Sequence, residues 1–409
     1  MARLEEYRPI VGSDTLEELA LLARPLAGKS VLNVNSTAVG GGVAEILSRM
    51  IPLLGELGLD ARWEVVKGGD DFYAVTKKFH NALHGDPQTV TPKDFQVYED
   101  TLDENLSRMP LEEDFVFIHD PQPLALVKKR RALKNHWMWR CHIDLSRPDP
   151  SVWEFLKPYV EQYDACVFSA PSFAQKLNIP QMLIAPSIDP LSDKNRELPE
   201  SEIQAILERL GIPLDKPLVT QVSRFDRLKD PVGVMEAFLK AKPYVDARLL
   251  LVGGTADDDP EGAEVLAEVR ERAKADPDIL VLCLPPTSHV EINAIQRASS
   301  VILQKSLREG FGLTVSEALW KGKPVIAGAV GGIPLQITHK YSGALVHTTD
   351  GAAYWLKAFL NDSAFARRMG EAGREHVKQN FLLTRHLREY LMLFHAVLHP
   401  GEEMIRLYQ

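Results

Sequence analysis

The sequence predicts an α/β protein of two domains, each built on a parallel sheet. Three observations predict it. At 409 residues the chain is too long for one ordinary core and long enough for two. Short apolar runs alternate with stretches of helical spacing through both halves, the pattern of strand–helix–strand units with right-handed crossovers. Several of these runs end in polar or glycine-rich segments, which is where open parallel sheets bind ligands.

Composition sets the outer bounds. A charged fraction of 25% and an apolar fraction of 45% are those of a soluble globular protein. A net charge of −9 argues against nucleic acid as a partner, because no global basic field draws a phosphate backbone, although a local cationic pocket is compatible with it. The first residues are charged, and no apolar run approaches the length of a membrane span. The expectation is a cytoplasmic protein with no membrane partner. Cys141, Cys166 and Cys283 are widely separated and form no CxxC pair, so neither a disulfide framework nor a zinc site is expected.

In the first half, residues 31–36 read as a core strand, and Gly40, Gly41 and Gly42 lead into a helix that continues past Pro52. The glycine spacing is not G-x-G-x-x-G, and no acidic residue ends the next strand, 62–66, so a nicotinamide cofactor is not expected. Residues 70–109 read as amphipathic helix, with Phe72, Val75, Phe79 and Leu83 on the core side. The run 115–120 is a strand that ends in His119 and Asp120, and Pro121-Gln122-Pro123 stops it. Residues 136–144 form a second such strand, ending in His142 and Asp144. A helix over 153–163 and strands over 165–169 and 182–185 follow, then a linker marked by Pro186, Pro190 and the polar run 193–196.

In the second half, strand 218–223 runs into Arg224 and Lys229. Two cations at one strand end suit a diphosphate, the arginine as a planar fork and the lysine as a mobile point charge. Strand 248–252 ends at Gly253, and strand 279–284 at Leu284 before two prolines. The run Asp257-Asp258-Asp259 lacks converging geometry and reads as a solvated loop rather than a metal site. Strand 300–304 then enters a tight loop, with Gly310, Phe311 and Gly312 leading into a helix from Leu313 and Thr314. A loop that opens a helix presents free N–H groups and the positive end of the helix dipole to a phosphate. Glu309 on the loop and Glu317 about one turn into the helix set two carboxylates toward opposite ends of one extended ligand. A strand over 324–327, a turn over 331–334 and helices from 353, over 364–379 and over 383–398 complete the chain.

The Glu309-x7-Glu317 spacing around Gly-Phe-Gly resembles the signature of retaining glycosyltransferases of family 4. The segment Trp-Arg-Cys-His-Ile-Asp-Leu-Ser over 139–146 is most similar to the trehalose glycosyltransferring synthases within that group. The resemblance covers nearly the whole chain. It implies the GT-B fold: two Rossmann-like domains facing each other across a cleft, with an acceptor domain over 1–188 completed by 383–409 and a nucleotide-sugar domain over 189–382.

It further implies transfer of glucose from a nucleoside diphosphate glucose (ADP-, UDP- or GDP-) to free glucose, with retention, giving α,α-trehalose reversibly. By the same resemblance Arg224 and Lys229 neutralise the departing diphosphate. The loop at Gly41 and Gly42, Gly253, the main chain at Leu284 and the segment Gly310, Phe311, Gly312, Leu313 and Thr314 hold the donor. Glu309 holds donor glucose hydroxyls and Glu317 the ribose. Asp120 and His142 contact the two sugars near the reacting bond, and Gln122, Asp144 and Arg147 contact the acceptor. No protein nucleophile is evident, which fits a front-face route. No essential metal is expected, magnesium entering at most with the diphosphate, and a homodimer is expected.

Other readings share these motifs. A retaining trehalose phosphorylase would use phosphate and leave Glu317 idle, and a family 4 transferase could take another acceptor sugar. A sugar-nucleotide 2-epimerase would leave the polar strand ends unexplained. A non-catalytic sugar-nucleotide-binding regulator would have no need of Arg224, Lys229, Glu309 and Glu317 together.

Overall fold

A computed structural model describes residues 3–38, 41–254, 260–402 and 404. The chain divides into two compact units: Met1–Ser187 with Leu383–Gln409, and Ile188–Leu382. Among the described residues no helix is long and apolar enough to cross a membrane.

The first unit carries strands β1 (Ser30–Asn35), β2 (Asp60–Val65), β3 (Phe115–His119), β4 (His136–Cys141), β5 (Ala165–Phe168) and β6 (Gln181–Leu183). They pair in parallel in the order β2-β1-β3-β4-β5-β6. The inner strands are buried on both faces, and their near-continuous apolar runs follow from that; β2 at the edge alternates in exposure. Helix Leu383–Leu398 covers one face, with Phe394 stacked on Phe115 at 4.7 Å and Tyr390 beside Phe117 at 4.9 Å.

The second unit carries β7 (Leu218–Val222), β8 (Arg248–Gly253), β9 (Ile279–Cys283), β10 (Val301–Gln304), β11 (Val325–Gly328) and β12 (Ala344–Val346). All are parallel, in the order β12-β11-β10-β7-β8-β9. Numbered within the unit and read from the β9 edge, that is 3-2-1-4-5-6, the doubly wound dinucleotide-binding order. The first unit instead has the order 2-1-3-4-5-6, the other common doubly wound arrangement. Strand order reverses between β1 and β3 in one unit and between β7 and β10 in the other. In open parallel sheets such reversals are where ligands bind.

Three expectations change in detail. Residues 70–109 form two helices, Asp70–Leu83 and Pro92–Leu106, because Gly85 turns the chain at φ +79° and Thr91 starts the second helix with a capping box to Asp94. β4 stops at Cys141, not at Asp144, because the His142 N–H turns away to the Asp120 carboxylate. The helix expected from 353 begins at Thr349, where the Thr348 hydroxyl accepts from the Gly351 N–H. The triple-aspartate run 257–259 lies outside the described residues.

Candidate active site

In the second unit the two strands at the reversal bring sequence-distant groups together. After β7 the chain turns on Asp226, whose carboxylate accepts from the Lys229 N–H at 3.1 Å, while the Gln221 amide holds the Lys229 carbonyl at 2.7 Å. Lys229 is thereby aimed across to the loop after β10, where its ammonium meets Glu309 Oε2 at 2.7 Å. Both side chains are largely buried, and the Ser306 hydroxyl adds a 3.4 Å contact to the same carboxylate oxygen. Arg224 is not drawn into this pair. Its guanidinium is mostly exposed and, among the described residues, pairs with Asp226 at 3.4 Å.

Gly312, at φ +81°, starts helix Leu313–Trp320 without any side-chain cap. A glycine cap has no side-chain oxygen to offer, and its carbonyl takes the Val315 N–H at 2.9 Å, which leaves the N–H groups at Leu313 and Thr314 for an anion. The Glu309–Gly312 loop is braced from behind by a segment whose residue types mark only a turn. Gly331, at φ +54°, packs so tightly that a Cβ would lie 1.5 Å from the Glu309 carbonyl oxygen. The Gly332 N–H donates to the Gly310 carbonyl at 3.1 Å, and the buried Gln336 amide reaches the Phe311 carbonyl while accepting from Ser316 at 2.6 Å. Gly331→Ala is therefore expected to displace Glu309 and lower turnover at least about a hundredfold, the penalty for misplacing a reacting group by about 1 Å. Steady-state kinetics on the folded variant checks it.

Glu317 is almost fully buried on the same helix, with Lys194 Nζ at 3.7 Å from its carboxylate. Below it Lys321 is buried too, donating to Asn195 Oδ1 at 3.0 Å and to the Glu317 carbonyl at 3.1 Å. Burial holds the Lys321 ammonium down to about 7. The unfolded chain, with an ordinary value of 10.5, then binds that proton more tightly, so stability rises with pH from about 7 toward 10.5. We expect Lys321→Met to remove a gain of about 1–2 kcal/mol between pH 7 and 9, read from melting curves at both pH values. The Leu284 N–H donates to the Gly253 carbonyl at 2.8 Å and ties the ends of β8 and β9 together.

In the first unit the ends of β1, β3 and β4 carry a polar row. Asp120 follows β3 in the left-handed region at φ +65°, a conformation that aspartate tolerates better than most residues. Its carboxylate accepts from the His142 N–H at 2.7 Å, and its carbonyl from Trp139 Nε1 at 3.0 Å. Burial raises the Asp120 carboxyl to about 7 against the opposing pull of the His142 N–H and the Arg140 charge. His119 lies 3.3 Å from His142 Nε2 through Nδ1 and 3.0 Å from Asn33 Oδ1 through Nε2. Burial with the nearby Arg140 charge drives His119 down to about 3 and His142 well below its ordinary value.

The acceptor candidates divide. Gln122 is half-buried, and its Oε1 is enclosed without a hydrogen-bond partner. Asp144 is buried and accepts from the Ser146 N–H at 2.9 Å, so its carboxylate closes a local turn. Arg147 is exposed. Gly41 and Gly42 open helix Gly41–Glu56 just after β1, with Gly41 at φ +80°. Arg140, Asn33, Lys194, Gly331 and Gln336 were not singled out from sequence. A buried-strand arginine beside a histidine two residues on, and Gly-Gly-Ile-Pro after a strand, were the available signals.

Two family profiles match the chain: "Trehalose synthase, N-terminal domain" over residues 33–175 and "Glycosyl transferases group 1" over 202–376. A trehalose synthase of Thermococcus litoralis is 44% identical over 96% of this chain and 97% of its own length. A trehalose phosphorylase of Pleurotus pulmonarius is 30% identical over 98% of this chain but only 62% of its own. Among solved structures, a sucrose-phosphate synthase of Thermosynechococcus elongatus superposes with a TM-score of 0.72 at 19% identity, covering 90% of this chain and 99% of that one. That likeness is one of fold, the GT-B fold. With both halves matched and nearly the full length shared at this identity, the chain belongs to the trehalose synthase family of trehalose-forming glycosyltransferases.

Proposed function

We propose that the protein transfers glucose from a nucleoside diphosphate glucose to free glucose with retained configuration, and that it runs the step in both directions. The observation that carries the reading is the buried Lys229–Glu309 pair beside an uncapped helix start. As the glycosidic bond lengthens, positive charge builds on the sugar ring and negative charge on the departing diphosphate. Lys229, Arg224 and the N–H groups of Leu313 and Thr314 stabilise the diphosphate, and Glu309 accepts hydrogen bonds from donor glucose hydroxyls. Glu317, held beside Lys194, accepts from the ribose. The first unit takes the acceptor, with Asp120 and His142 on the sugars and Gln122 behind them. Asp144, whose Oδ1 accepts from the Ser146 N–H, keeps its second carboxylate oxygen for the acceptor.

The phosphorylase is the second reading, favoured by the likeness to the Pleurotus enzyme. A buried carboxylate at Glu317 counts against it, because a phosphate co-substrate has no ribose for Glu317 to hold. The proposal also includes a homodimer, a cytoplasmic setting and no essential metal, testable by sedimentation, localisation and activity in EDTA.

The deciding assay gives the purified protein glucose with ADP-, UDP- and GDP-glucose in turn, and separately trehalose with phosphate. Trehalose formed with one equivalent of nucleoside diphosphate is the expected result. Glucose 1-phosphate from trehalose and phosphate, with no nucleotide-dependent reaction, would establish the phosphorylase instead.

A further inference from the structure

Asn33, His119, Arg140 and His142 lie on the sheet face that helix Leu383–Leu398 covers. His119 and Arg140 are register partners on β3 and β4, and His142 follows Arg140 by two residues. Arg140 is fully buried. Its Nη2 donates to the Ile184 carbonyl at 2.8 Å, and the guanidinium lies 5.6 Å from the Tyr390 ring centroid. Its Nε stands 3.5 Å from His142 Nδ1.

The donor inventory gives this row a direction. A guanidinium has donors only, so His142 Nδ1 must accept. The His142 proton then sits on Nε2 and points at His119 Nδ1, which accepts at 3.3 Å. The His119 proton is left on Nε2 and is taken by Asn33 Oδ1 at 3.0 Å. Reversing any link would set two donors or two acceptors against each other.

We propose that Arg140 is a positioning residue, which holds His142 as the neutral Nε2–H tautomer through the one-way chain Arg140→His142→His119→Asn33. This deepens the proposed function and rests on its reading of His142 as a sugar contact. The His142–His119 bond is the long link in the chain. A sugar oxygen that displaced His119 there would meet an N–H already oriented and uncharged. The groups facing His142 are Arg140 on its own strand, His119 and Asp120 from the end of β3, and His386 from the covering helix. Arginine cannot release its proton in a protein, so the positive charge beside the imidazole is permanent.

The test is ring 15N NMR of the full-length protein with labelled histidine, His142 being assigned by the signal lost in His142→Gln. The wild-type ring should show the Nε2–H tautomer unchanged from pH 8 to 5.5. In Arg140→Met the ring should exchange tautomers and titrate at higher pH than in wild type, although burial still holds it below its ordinary value, and the acid limb of kcat/KM for glucose should steepen where it does. Arg140→Gln, a donor without charge, should restore the tautomer but not suppress the titration. A wild-type His142 that titrates between pH 5.5 and 7, or carries its proton on Nδ1, overturns the proposal. An Arg140→Met spectrum and profile identical to wild type would do the same. Should Arg140→Met fail to fold, the wild-type spectrum still decides. Failure of every glucosyl donor in the product assay would sink the functional reading, and the tautomer and titration of His142 would still test the positioning role independently.

Discussion

Glu309→Ala will slow glucosyl transfer by about 10²–10³-fold while leaving nucleoside diphosphate affinity close to wild type. Glu317→Ala will do the reverse, raising the Kd for nucleoside diphosphate by about 10–100-fold, with the rate at saturating donor within a few fold of wild type. The asymmetry follows from where each carboxylate stands. Glu309 is locked against Lys229 at 2.7 Å, and removing it frees the ammonium that should meet the developing charge on the leaving group. Glu317 sits on the helix that follows, paired at 3.7 Å with Lys194, and has no link to Lys229. Calorimetric titration of nucleoside diphosphate with steady-state kinetics on both variants separates the two effects. Equal loss of nucleotide affinity in both would contradict the division of roles.

The second large effect concerns Asp120. With its carboxyl raised to about 7, kcat/KM for glucose should rise through that pH with a single ionisation, because the carboxylate is the form that accepts from sugar hydroxyls. Asp120→Asn is a clean probe. Asparagine tolerates the left-handed backbone, and its Oδ1 can still take the His142 N–H. The variant should lose the ionisation and fall by about 10²–10³-fold at pH 8. Stability carries the opposite sign. The folded protein binds this proton more tightly than the unfolded chain does, so the group's contribution is full below its ordinary 3.8 and is lost as pH rises toward 7. Asp120→Asn should therefore melt higher than wild type at pH 8 and show no such gain at pH 4. A flat wild-type rate profile between pH 6 and 8 would remove Asp120 from this role.

Much of the candidate site in the second unit was readable because it is local. The Glu309–Glu317 spacing, the Gly312 helix start and the strand preceding them lie within one short stretch, where strand, loop and helix geometry alone fix the order of the groups. The candidate site in the first unit was readable only as a row of polar strand ends. The sequence placed His119, Asp120 and His142 at those ends, but it gave no sign that both ring nitrogens of His142 are engaged or that Asp144 is turned back on Ser146. Those are matters of which neighbour lies within hydrogen-bonding reach. Arg224 shows the same limit in reverse. It stands after β7 as Lys229 does, yet its side chain is exposed, while Lys229 is held by the loop after β10.

By itself, then, the chain's pattern determined two parallel-sheet units, their strands and the motif that identifies the family, because burial on both faces and helix starts leave period and composition marks along a single stretch. The tertiary structure decided the rest. Strand order, which brings Lys229 to Glu309 across 80 residues, is set by which apolar faces pack, and no local pattern records it. The brace of Gly331 behind Glu309 and the raised carboxyl of Asp120 likewise depend on close approach and on exclusion of water, and both exist only once distant segments have met.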